Sequence, residues 1–287
     1  MKIEIKNVDY IYNEGLPSEV YALKNINLDI NPHEIVGLIG QTGSGKSTLV
    51  QLLNGLLIPS RGDCIIDGIN SKDKKRRKEA RFKVGLVFQY PENQLFEETI
   101  AKDIAFGPKN MGLDDKGVEE RVKDAMAKVG LDYESYKDKS PFELSGGQQR
   151  RVAVAGILSM NPRVLVLDEL TAGLDPAGRD EIFSEIMYLY NTDPELSIVL
   201  VSHSMEDVAE YVDRVIVMSK VEVYSDKSTY DTFTQVDLDK IGLDIPQITK
   251  FMRAYKKKNP SVRDDIYTVN GAIKELKRVL GGEDGKH

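Results

Sequence analysis

The octapeptide GQTGSGKS at residues 40–47 constrains the fold of this chain more than any other stretch. Residues 35–39 before it form an apolar run typical of a buried strand. After it, leucines recur at helical spacing until Pro59 and Gly62, which are expected to end that helix. The pattern GxxxxGK[ST] between a strand and a helix predicts a loop whose backbone N–H groups surround a polyphosphate, rather than an ordinary glycine turn with a surface lysine.

Within this loop two side chains have specific expected tasks. Lys46 is expected to reach the β- and γ-phosphates of a bound nucleotide, and Ser47 to give its hydroxyl oxygen to Mg²⁺. The helix that begins here adds its N-terminal N–H groups to the phosphate contacts. The predicted nucleotide-binding residues of this segment are Gly40, Gln41, Thr42, Gly43, Ser44, Gly45, Lys46, Ser47 and Thr48.

Further apolar runs indicate an α/β fold with a mostly parallel core sheet. They occupy residues 84–88, 164–167, 198–201 and 215–218, and they do not alternate with polar residues, as in strands buried on both faces. Between residues 91 and 160 the strand-like runs vanish and helical segments dominate, notably 116–129 and 148–158, which predicts an inserted helical subdomain. Past Tyr224, only 248–255 and 272–280 look helical, and the tail GGEDGKH is expected to be disordered.

Composition excludes several classes of protein. With 287 residues, 41% of them hydrophobic, and a net charge of -7, the chain has ample core and no overall positive field to attract nucleic acid. A basic run at 72–83 is interpreted as a solvated helix face, with a phosphate or lipid contact as the less favoured alternative. No stretch approaches the roughly 18 to 20 apolar residues of a membrane-spanning helix, so the chain itself is expected to be cytoplasmic. The single cysteine, Cys64, is expected to be a buried hydrophobe.

Two acidic residues follow the apolar run 164–167. Asp168 and Glu169 should lie at the carboxyl end of a strand, the edge at which α/β sheets place ligands. Asp168 there suits a contact with Mg²⁺, and Glu169 suits polarising a water molecule for attack on a γ-phosphorus. An Asp–Glu pair after a strand can also be a helix N-cap, but the phosphate loop favours the catalytic interpretation.

Gln89 and His203 each follow another buried run and are expected at the same sheet edge. The amide of Gln89 can contact Mg²⁺ or the water molecule, and the imidazole of His203 can donate to the γ-phosphate. Both side chains could therefore sense whether that phosphate is present. For His203, structural hydrogen bonding is the alternative.

A second glycine-rich anion site is predicted at the heptapeptide LSGGQQR, residues 144–150. Ser145, Gly146 and Gly147 stand just before the helical segment that starts at Gln148, so a hydroxyl, exposed N–H groups and a helix dipole would converge on an anion. A plain serine N-cap is the alternative. Because the loop at 40–47 already serves its own nucleotide, the second site is most simply explained if it closes over the γ-phosphate held by another chain.

In this order and spacing the motifs resemble those of the ATP-binding cassette family, over residues 3 to 220. GQTGSGKS resembles its Walker A motif, VLVLDE its Walker B motif and LSGGQQR its signature; Gln89 stands at its Q-loop, Asp175 in its D-loop and His203 at its switch histidine. The resemblance implies a P-loop NTPase fold with an N-terminal antiparallel β part, and two cassettes that pack head to tail. It also places Tyr12 as the aromatic that stacks on adenine, although neighbouring Tyr10 leaves that choice open.

The segment at 88–110, with SPFELSGGQQRR and VSHSMEDVAEYVDRVIVM, resembles more narrowly the ATPase subunits of energy-coupling factor importers, and AFGPKN the second of their two paralogues. This resemblance implies an ATP- and Mg²⁺-dependent motor at the cytoplasmic face of the membrane that drives uptake of vitamins or transition-metal ions. The implied partners are a paralogous ATPase in a heterodimer, a transmembrane coupling subunit and a membrane subunit that captures substrate. An ABC ATPase outside transport and a slow regulatory nucleotide-binding module are the alternatives.

Two segments depart from the family pattern. Leu170 stands where a proline usually follows the catalytic glutamate, and residues 219–229 lack a glycine-rich turn. The expected division is an ATPase domain at 1–224, with its helical subdomain at about 91–160, and a C-terminal extension at 225–287 that contributes a dimer contact.

Overall fold

The computed structural model describes residues 1–280; the predicted disorder of the GGEDGKH tail lies outside the described residues. The β-strands are β1 (Ile3–Tyr12), β2 (Val20–Ile30), β3 (Ile35–Gly40), β4 (Arg61–Ile66), β5 (Ile69–Asn70), β6 (Val84–Val87), β7 (Val164–Asp168), β8 (Ser197–Val201), β9 (Arg214–Ser219) and β10 (Glu222–Ser228). They form a four-stranded sheet in the order β2-β1-β4-β5 and a six-stranded sheet in the order β10-β9-β3-β8-β7-β6.

The α-helices are α1 (Lys46–Leu53), α2 (Arg77–Phe82), α3 (Ile100–Met111), α4 (Asp115–Lys128), α5 (Tyr133–Tyr136), α6 (Gly146–Leu158), α7 (Pro176–Thr192), α8 (Met205–Tyr211), α9 (Thr229–Gln235), α10 (Gln247–Lys256) and α11 (Val269–Leu280). Short 3₁₀ helices occupy Pro91–Gln94, Pro141–Glu143 and Asp239–Ile241. No helix within residues 1–280 is both long and apolar enough to span a lipid bilayer.

Two compact units make up the chain. The first comprises Met1–Glu34 and Ser47–Val199, and the second comprises Ile35–Lys46 and Leu200–His287. The sequence division at residue 224 follows the order of motifs, whereas these units follow spatial contacts, so each unit collects segments that are distant in the chain.

The first unit contains the antiparallel β part, strands β6 and β7, and the helices between them. Strands β1 and β2 pair antiparallel, as do β1 and β4, which agrees with the expected N-terminal antiparallel sheet. Strands β6 and β7 pair parallel in register from Val84↔Val164 to Val87↔Leu167. From α3 to α6, with the two 3₁₀ helices before and within this segment, the chain is helical, as the vanishing strand pattern predicts.

The second unit contains β3, β9 and β10 with the C-terminal helices. Strand β3 is buried at every position and pairs parallel with β9, and β10 pairs antiparallel with β9. Around α10 and α11 a small separate apolar cluster forms from Met252, Val262, Ile266 and Ala272. The extension after residue 224 therefore has packed structure of its own.

The structure corrects the predicted elements in two places and shows how the chain turns between β9 and β10. Helix α1 ends at Leu53, well before Pro59, because Leu56 faces solvent and the chain turns at Gly55, whose φ is +72°. Strand β10 and helix α9 lie where the sequence after Tyr224 predicted little structure. The β9–β10 hairpin turns without glycine, and Lys220 and Val221 both take left-handed φ angles instead, +47° and +62°.

Candidate functional site

The phosphate loop connects β3 to α1 and has the backbone shape that its glycines predict. The N–H of Ser44 donates to the carbonyl of Gln41 at 3.1 Å, which closes a tight turn. Gly43 and Gly45 have φ angles of +80° and +101°, where any side chain would be strained. The turn leads directly into the first residue of α1, Lys46, so the N-terminus of this helix directly follows the loop.

Lys46 and Ser44 give the loop its binding chemistry. Lys46 is only 7% exposed, and its ammonium donates to the carbonyl oxygens of Gly40 at 2.6 Å and Gln41 at 3.0 Å. The hydroxyl of Ser44 is buried and has no hydrogen-bond partner among the described residues. Because a buried hydroxyl without a partner is unfavourable, a phosphate oxygen in the loop would satisfy it. The residues present therefore fit a polyphosphate.

Tyr12 and Thr48 belong to the first unit and lie close together. The hydroxyl oxygen of Tyr12 is 3.4 Å from that of Thr48, and the ring of Tyr12 is 41% exposed. The ring of Tyr10 meets that of Tyr12 edge-on at 4.9 Å and is half-buried, and this burial raises the pKa of the Tyr10 hydroxyl. Of the two rings, Tyr12 is the more accessible for stacking.

The carboxyl ends of β6 and β7 bring three predicted side chains to one sheet edge. Asp168 is the last residue of β7, Glu169 follows it, and Gln89 stands two residues beyond β6. Because Val87 is in parallel register with Leu167, Gln89 and the two acidic residues leave the sheet on the same side. Within residues 1–280 no group of three or more histidine, cysteine or acidic side chains is arranged to hold a metal.

Glu169 has an unusual backbone. Its φ angle is +51°, in the left-handed region, and the N–H of Ala172 donates to its carbonyl at 3.0 Å. Tyr90, next to Gln89, is also left-handed, with a φ of +54°. Such non-glycine conformations cost on the order of 1–3 kcal/mol each and persist only where the surroundings hold them. Glu169 is itself a predicted catalytic residue, and Tyr90 is next to another one, Gln89.

The signature segment forms a capped helix N-terminus. Ser145 is the N-cap of α6, and its hydroxyl accepts the N–H of Gln148 at 3.4 Å while the side chain of Gln148 accepts the N–H of Ser145 at 3.2 Å. Gly146 and Gly147 are exposed, and a Cβ at either would meet no atom within 4 Å. The helix therefore begins two residues before Gln148, earlier than predicted, because this reciprocal cap includes both glycines in its first turn.

Two further predicted residues lie at helix starts. Asp175 is the N-cap of α7 and accepts the N–H of Gly178 at 2.8 Å. His203, in the second unit, is exposed and lies between β8 and Ser204, the N-cap of α8. The N–H of Ser204 donates to the hydroxyl of Ser202 at 3.0 Å, which fixes the backbone on either side of the imidazole.

The predicted residues are divided between the units. Gly40 to Lys46 and His203 belong to the second unit, and all the others belong to the first. Within the first unit the structure brings Gln89, Asp168 and Glu169 to one edge, as the sequence predicts.

Sequence reasoning missed one buried ion pair in the first unit. Arg150, at the end of LSGGQQR, is 5% exposed and forms a two-pronged contact with Glu92 at 3.0 and 3.1 Å. Burial raises the pKa of the Glu92 carboxyl, but the hydrogen bonds from Arg150, a backbone hydrogen bond and the charge of Arg150 together outweigh it, so the net pKa is lowered. Only an unexplained arginine inside a helix segment could have pointed to this pair.

An apolar groove of about 340 Å³ also lies in the first unit. Phe96 and Phe106 line it, 57% and 49% exposed, with their rings edge-on at 5.1 Å. Its other lining residues include Leu95, which follows the 3₁₀ helix Pro91–Gln94, and Ile157 of α6. Two adjacent exposed aromatic rings are typical of a surface that a partner covers.

Comparisons with known proteins agree with this set of motifs. The family model described as ABC transporter matches residues 23–172. The chain is 52% identical to the energy-coupling factor transporter ATP-binding protein EcfA2 of Clostridium perfringens, over 98% of this chain and 99% of the relative. To the protein of the same name from Caldanaerobacter subterraneus it is 51% identical, with 98% and 99% covered.

Solved structures resemble the fold over a smaller share of this chain. One is cbiO1 of Clostridium perfringens, part of the ABC transporter complex cbiONQ, with a TM-score of 0.72 and 36% identity over 88% of this chain and 98% of that one. Another is an ATP-binding cassette solved as a dimer in a post-hydrolysis state with ADP and Pi, with a TM-score of 0.68 and 30% identity, covering 79% of this chain and 98% of that one.

Proposed function

Because the chain belongs to the ABC transporter family, we propose that it is the ATP-hydrolysing subunit of an energy-coupling factor importer. The observation that carries the proposal is 52% identity over 98% of the chain to a protein named for that role. The motif residues for nucleotide binding and hydrolysis are all present in the sequence. The proposed cargo is a vitamin or a transition-metal ion, whose selection belongs to another polypeptide.

The phosphate loop binds ATP in this proposal. Residues Gly40 to Ser47, with Thr48, surround the phosphates, Lys46 exchanges its two loop carbonyls for phosphate oxygens, and Ser44 gains the partner that its hydroxyl lacks. Tyr12 stacks on the adenine. Ser47, Gln89 and Asp168 would hold Mg²⁺, which would neutralise charge on the transferring phosphoryl group.

Glu169 acts as the general base. Its carboxylate accepts a proton from the water molecule that attacks the γ-phosphorus, and ADP leaves as the bond to the γ-phosphoryl group breaks. The left-handed backbone at Glu169 supports this role, because strain of this kind is common where a side chain must be aimed. His203 donates to the γ-phosphate and Gln89 contacts the attacking water.

The signature segment serves the nucleotide of another chain. Ser145, Gly146, Gly147 and Gln148 begin a helix whose first N–H groups are exposed, which suits the γ-phosphate of an ATP bound to a partner cassette. Asp175 lies at the same dimer contact. The partner in this proposal is a paralogous ATPase, which gives a heterodimer, and residues 225–287 add to the dimer contact outside the ATPase domain at 1–224.

The groove at Phe96 and Phe106 receives the transmembrane coupling subunit. Its apolar lining suits the hydrophobic face of a helical segment, and it begins directly after the segment that contains Gln89. This contact holds the chain at the cytoplasmic face of the membrane as a peripheral subunit. A second membrane protein captures the substrate, and no nucleic acid takes part.

Copurification tests the proposal. The tagged chain, expressed with its native membrane partners and solubilised in detergent, is expected to retain a second ATPase and a membrane protein, and the complex to hydrolyse ATP. Phe96→Ala with Phe106→Ala should release the membrane protein and leave nucleotide binding unchanged. Tyr188→Ala, an aromatic that is 64% exposed and does not line the groove, is the matched control. Recovery of soluble partners alone would contradict the importer function.

A further inference from the structure

Arg150 uses all three nitrogens of its guanidinium inside the first unit. Nε donates to Glu92 Oε2 at 3.1 Å, Nη2 donates to Glu92 Oε1 at 3.0 Å, and Nη1 donates to the carbonyl oxygen of Leu170 at 3.0 Å. The side chain is 6% exposed and that of Glu92 is 20% exposed. A planar guanidinium can make a two-pronged contact with a carboxylate and still donate to a carbonyl in a fixed geometry, whereas the ammonium of a lysine lacks this rigid fork.

These contacts join three segments that the proposed function uses separately. Leu170 directly follows Glu169, Glu92 lies three residues after Gln89, and Arg150 belongs to the helix that Ser145 caps. The same 3₁₀ helix that contains Glu92 continues into the lining of the apolar groove at Gln94 and Leu95. One guanidinium is therefore bonded to the proposed hydrolytic segment and to the proposed docking segment.

The contacts lie beside both strained residues. Glu169 and Tyr90 have left-handed backbones, and the structure holds the chain shortly after each of them, at the carbonyl of Leu170 and at the carboxylate of Glu92. Leu170 is itself 2% exposed, so its side chain is anchored in the interior while Arg150 fixes its carbonyl. This carbonyl belongs to the peptide that joins Leu170 to Thr171, so the Arg150 contact fixes the backbone at Leu170, the residue next to Glu169.

We propose that Arg150 is a positioning residue for hydrolysis. Its guanidinium holds the backbone after Glu169 in a position that depends on the position of Glu92. In this way Arg150 connects the docking groove to the general base. The inference rests on the proposed function, since it assigns Glu169 and the groove their roles. Arg150 touches neither nucleotide nor water in this account. It acts through the Leu170 carbonyl, and Glu92 fixes the guanidinium in the one orientation that reaches that carbonyl.

Kinetics of the assembled complex test this role. In Arg150→Lys, kcat is expected to fall about 10- to 100-fold, the effect of a small misplacement of a catalytic group. The KM for ATP is expected to stay near the wild-type value, because the phosphate loop is untouched. Glu92→Gln should show a smaller loss of kcat, and the double variant should be no slower than Arg150→Lys, because the two side chains act as one unit.

The matched control is Arg151→Lys on the same helix. Arg151 is 26% exposed in its side chain and pairs with Glu181 and Glu185, so this variant should keep the wild-type kcat. A wild-type kcat in Arg150→Lys overturns the proposal, as does a loss explained by a lower melting temperature or by weaker ATP binding. Losses that multiply in the double variant also overturn it.

Two further outcomes, a variant that does not fold and a wild-type complex without ATPase activity, have separate meanings. If Arg150→Lys does not fold, Glu92→Gln decides, because a lower kcat at an unchanged melting temperature supports the role and a wild-type kcat overturns it. If the wild-type complex itself hydrolyses no ATP, the proposed function fails, and this is measured before any variant. An active wild-type complex in which Arg150→Lys keeps the wild-type kcat contradicts the inference alone.

Discussion

At the scale of single residues, the candidate site contains a buried polar side chain that lacks a hydrogen-bond partner within residues 1–280 and a residue whose backbone is strained. Ser44 has a buried hydroxyl with no hydrogen-bond partner in the part of the chain that the structure describes, and Glu169 holds a left-handed φ of +51°. Both features are unfavourable for folding and are retained where a ligand or a reaction would use them. Leu170 replaces the proline expected after Glu169, and the rigidity at this point comes from its burial and from the Arg150 contact instead.

Glu169→Gln tests the general base at this scale. The amide keeps the size of the side chain but cannot accept a proton, so hydrolysis is expected to slow at least ~100-fold while ATP binding is retained. Hydrolysis by the assembled complex and ATP affinity measured on the same sample check this. Glu181→Gln, at a surface carboxylate that is 61% exposed, serves as control. Wild-type turnover in Glu169→Gln would remove this residue from its proposed role.

At the scale of elements, the C-terminal half of the second unit is built from features that sequence patterns describe poorly. The β9–β10 hairpin turns through Lys220 and Val221, neither of which favours a left-handed backbone. Helix α11 carries a network in which the Glu275 carboxylate accepts from Arg278 at 2.6 and 2.8 Å and from the N–H of Arg263 at 2.8 Å. Charge and turn strain therefore both affect the stability of this region.

Val221→Gly should stabilise the hairpin. Glycine takes a φ of +62° without steric strain, and the gain is expected to be about 1 kcal/mol in the free energy of unfolding, less than the full strain because glycine also loosens the unfolded chain. The midpoint of urea unfolding measures it. Val223→Gly lies within β10 and should destabilise the protein, so stabilisation by both substitutions would contradict the turn explanation.

Acid should weaken the α11 network. Hydrogen bonds from Arg278 and from the Arg263 N–H lower the pKa of Glu275 from 4.5 to about 2. Because the folded pKa is the lower one, the stabilisation is present above pH 4.5 and disappears as the pH falls toward about 2. The difference in melting temperature between wild type and Glu275→Gln should therefore be largest near neutral pH and shrink through this window.

The control for this measurement is Glu210→Gln, an exposed carboxylate on α8. Its difference from the wild type should stay small at every pH. A Glu275→Gln difference that is constant between pH 7 and pH 2 would assign its effect to packing rather than to charge.

At the scale of the whole molecule, the proposed function needs a second chain. The exposed first turn of α6 offers N–H groups to an anion, and in the proposed function the phosphate loop binds a nucleotide of its own. If the signature segment contacts the nucleotide of the partner, each of the two nucleotide sites is formed by residues of both chains. An isolated monomer is then expected to bind ATP and to hydrolyse it poorly.

Ser145→Arg and Lys46→Met separate the two half-sites. Ser145→Arg places a bulky side chain at the first turn of α6 and should abolish hydrolysis in the complex, while the isolated chain binds ATP with wild-type affinity. Lys46→Met should weaken ATP binding by the isolated chain, because the loop loses its ammonium. Loss of ATP affinity in isolated Ser145→Arg would place this residue in the site of its own chain instead.

Features of the fold and of the candidate site could be predicted where they depend on residues close together in the sequence, and not where they depend on residues far apart in it. Local sequence patterns predict the phosphate loop, the buried parallel strands, the helix after the signature glycines and the candidate residues at the strand ends, because glycine spacing and side-chain periodicity act within a few residues. Turns without glycine, as at Lys220 and Val221, were not predicted, because left-handed φ at such residues is imposed by the strands they join. The Arg150 contacts depend on the folded chain, because Glu92 is 58 residues away and Leu170 is 20 away. No local sequence pattern specifies these contacts, since the packing of the interior determines which carboxylate and which carbonyl a buried guanidinium reaches.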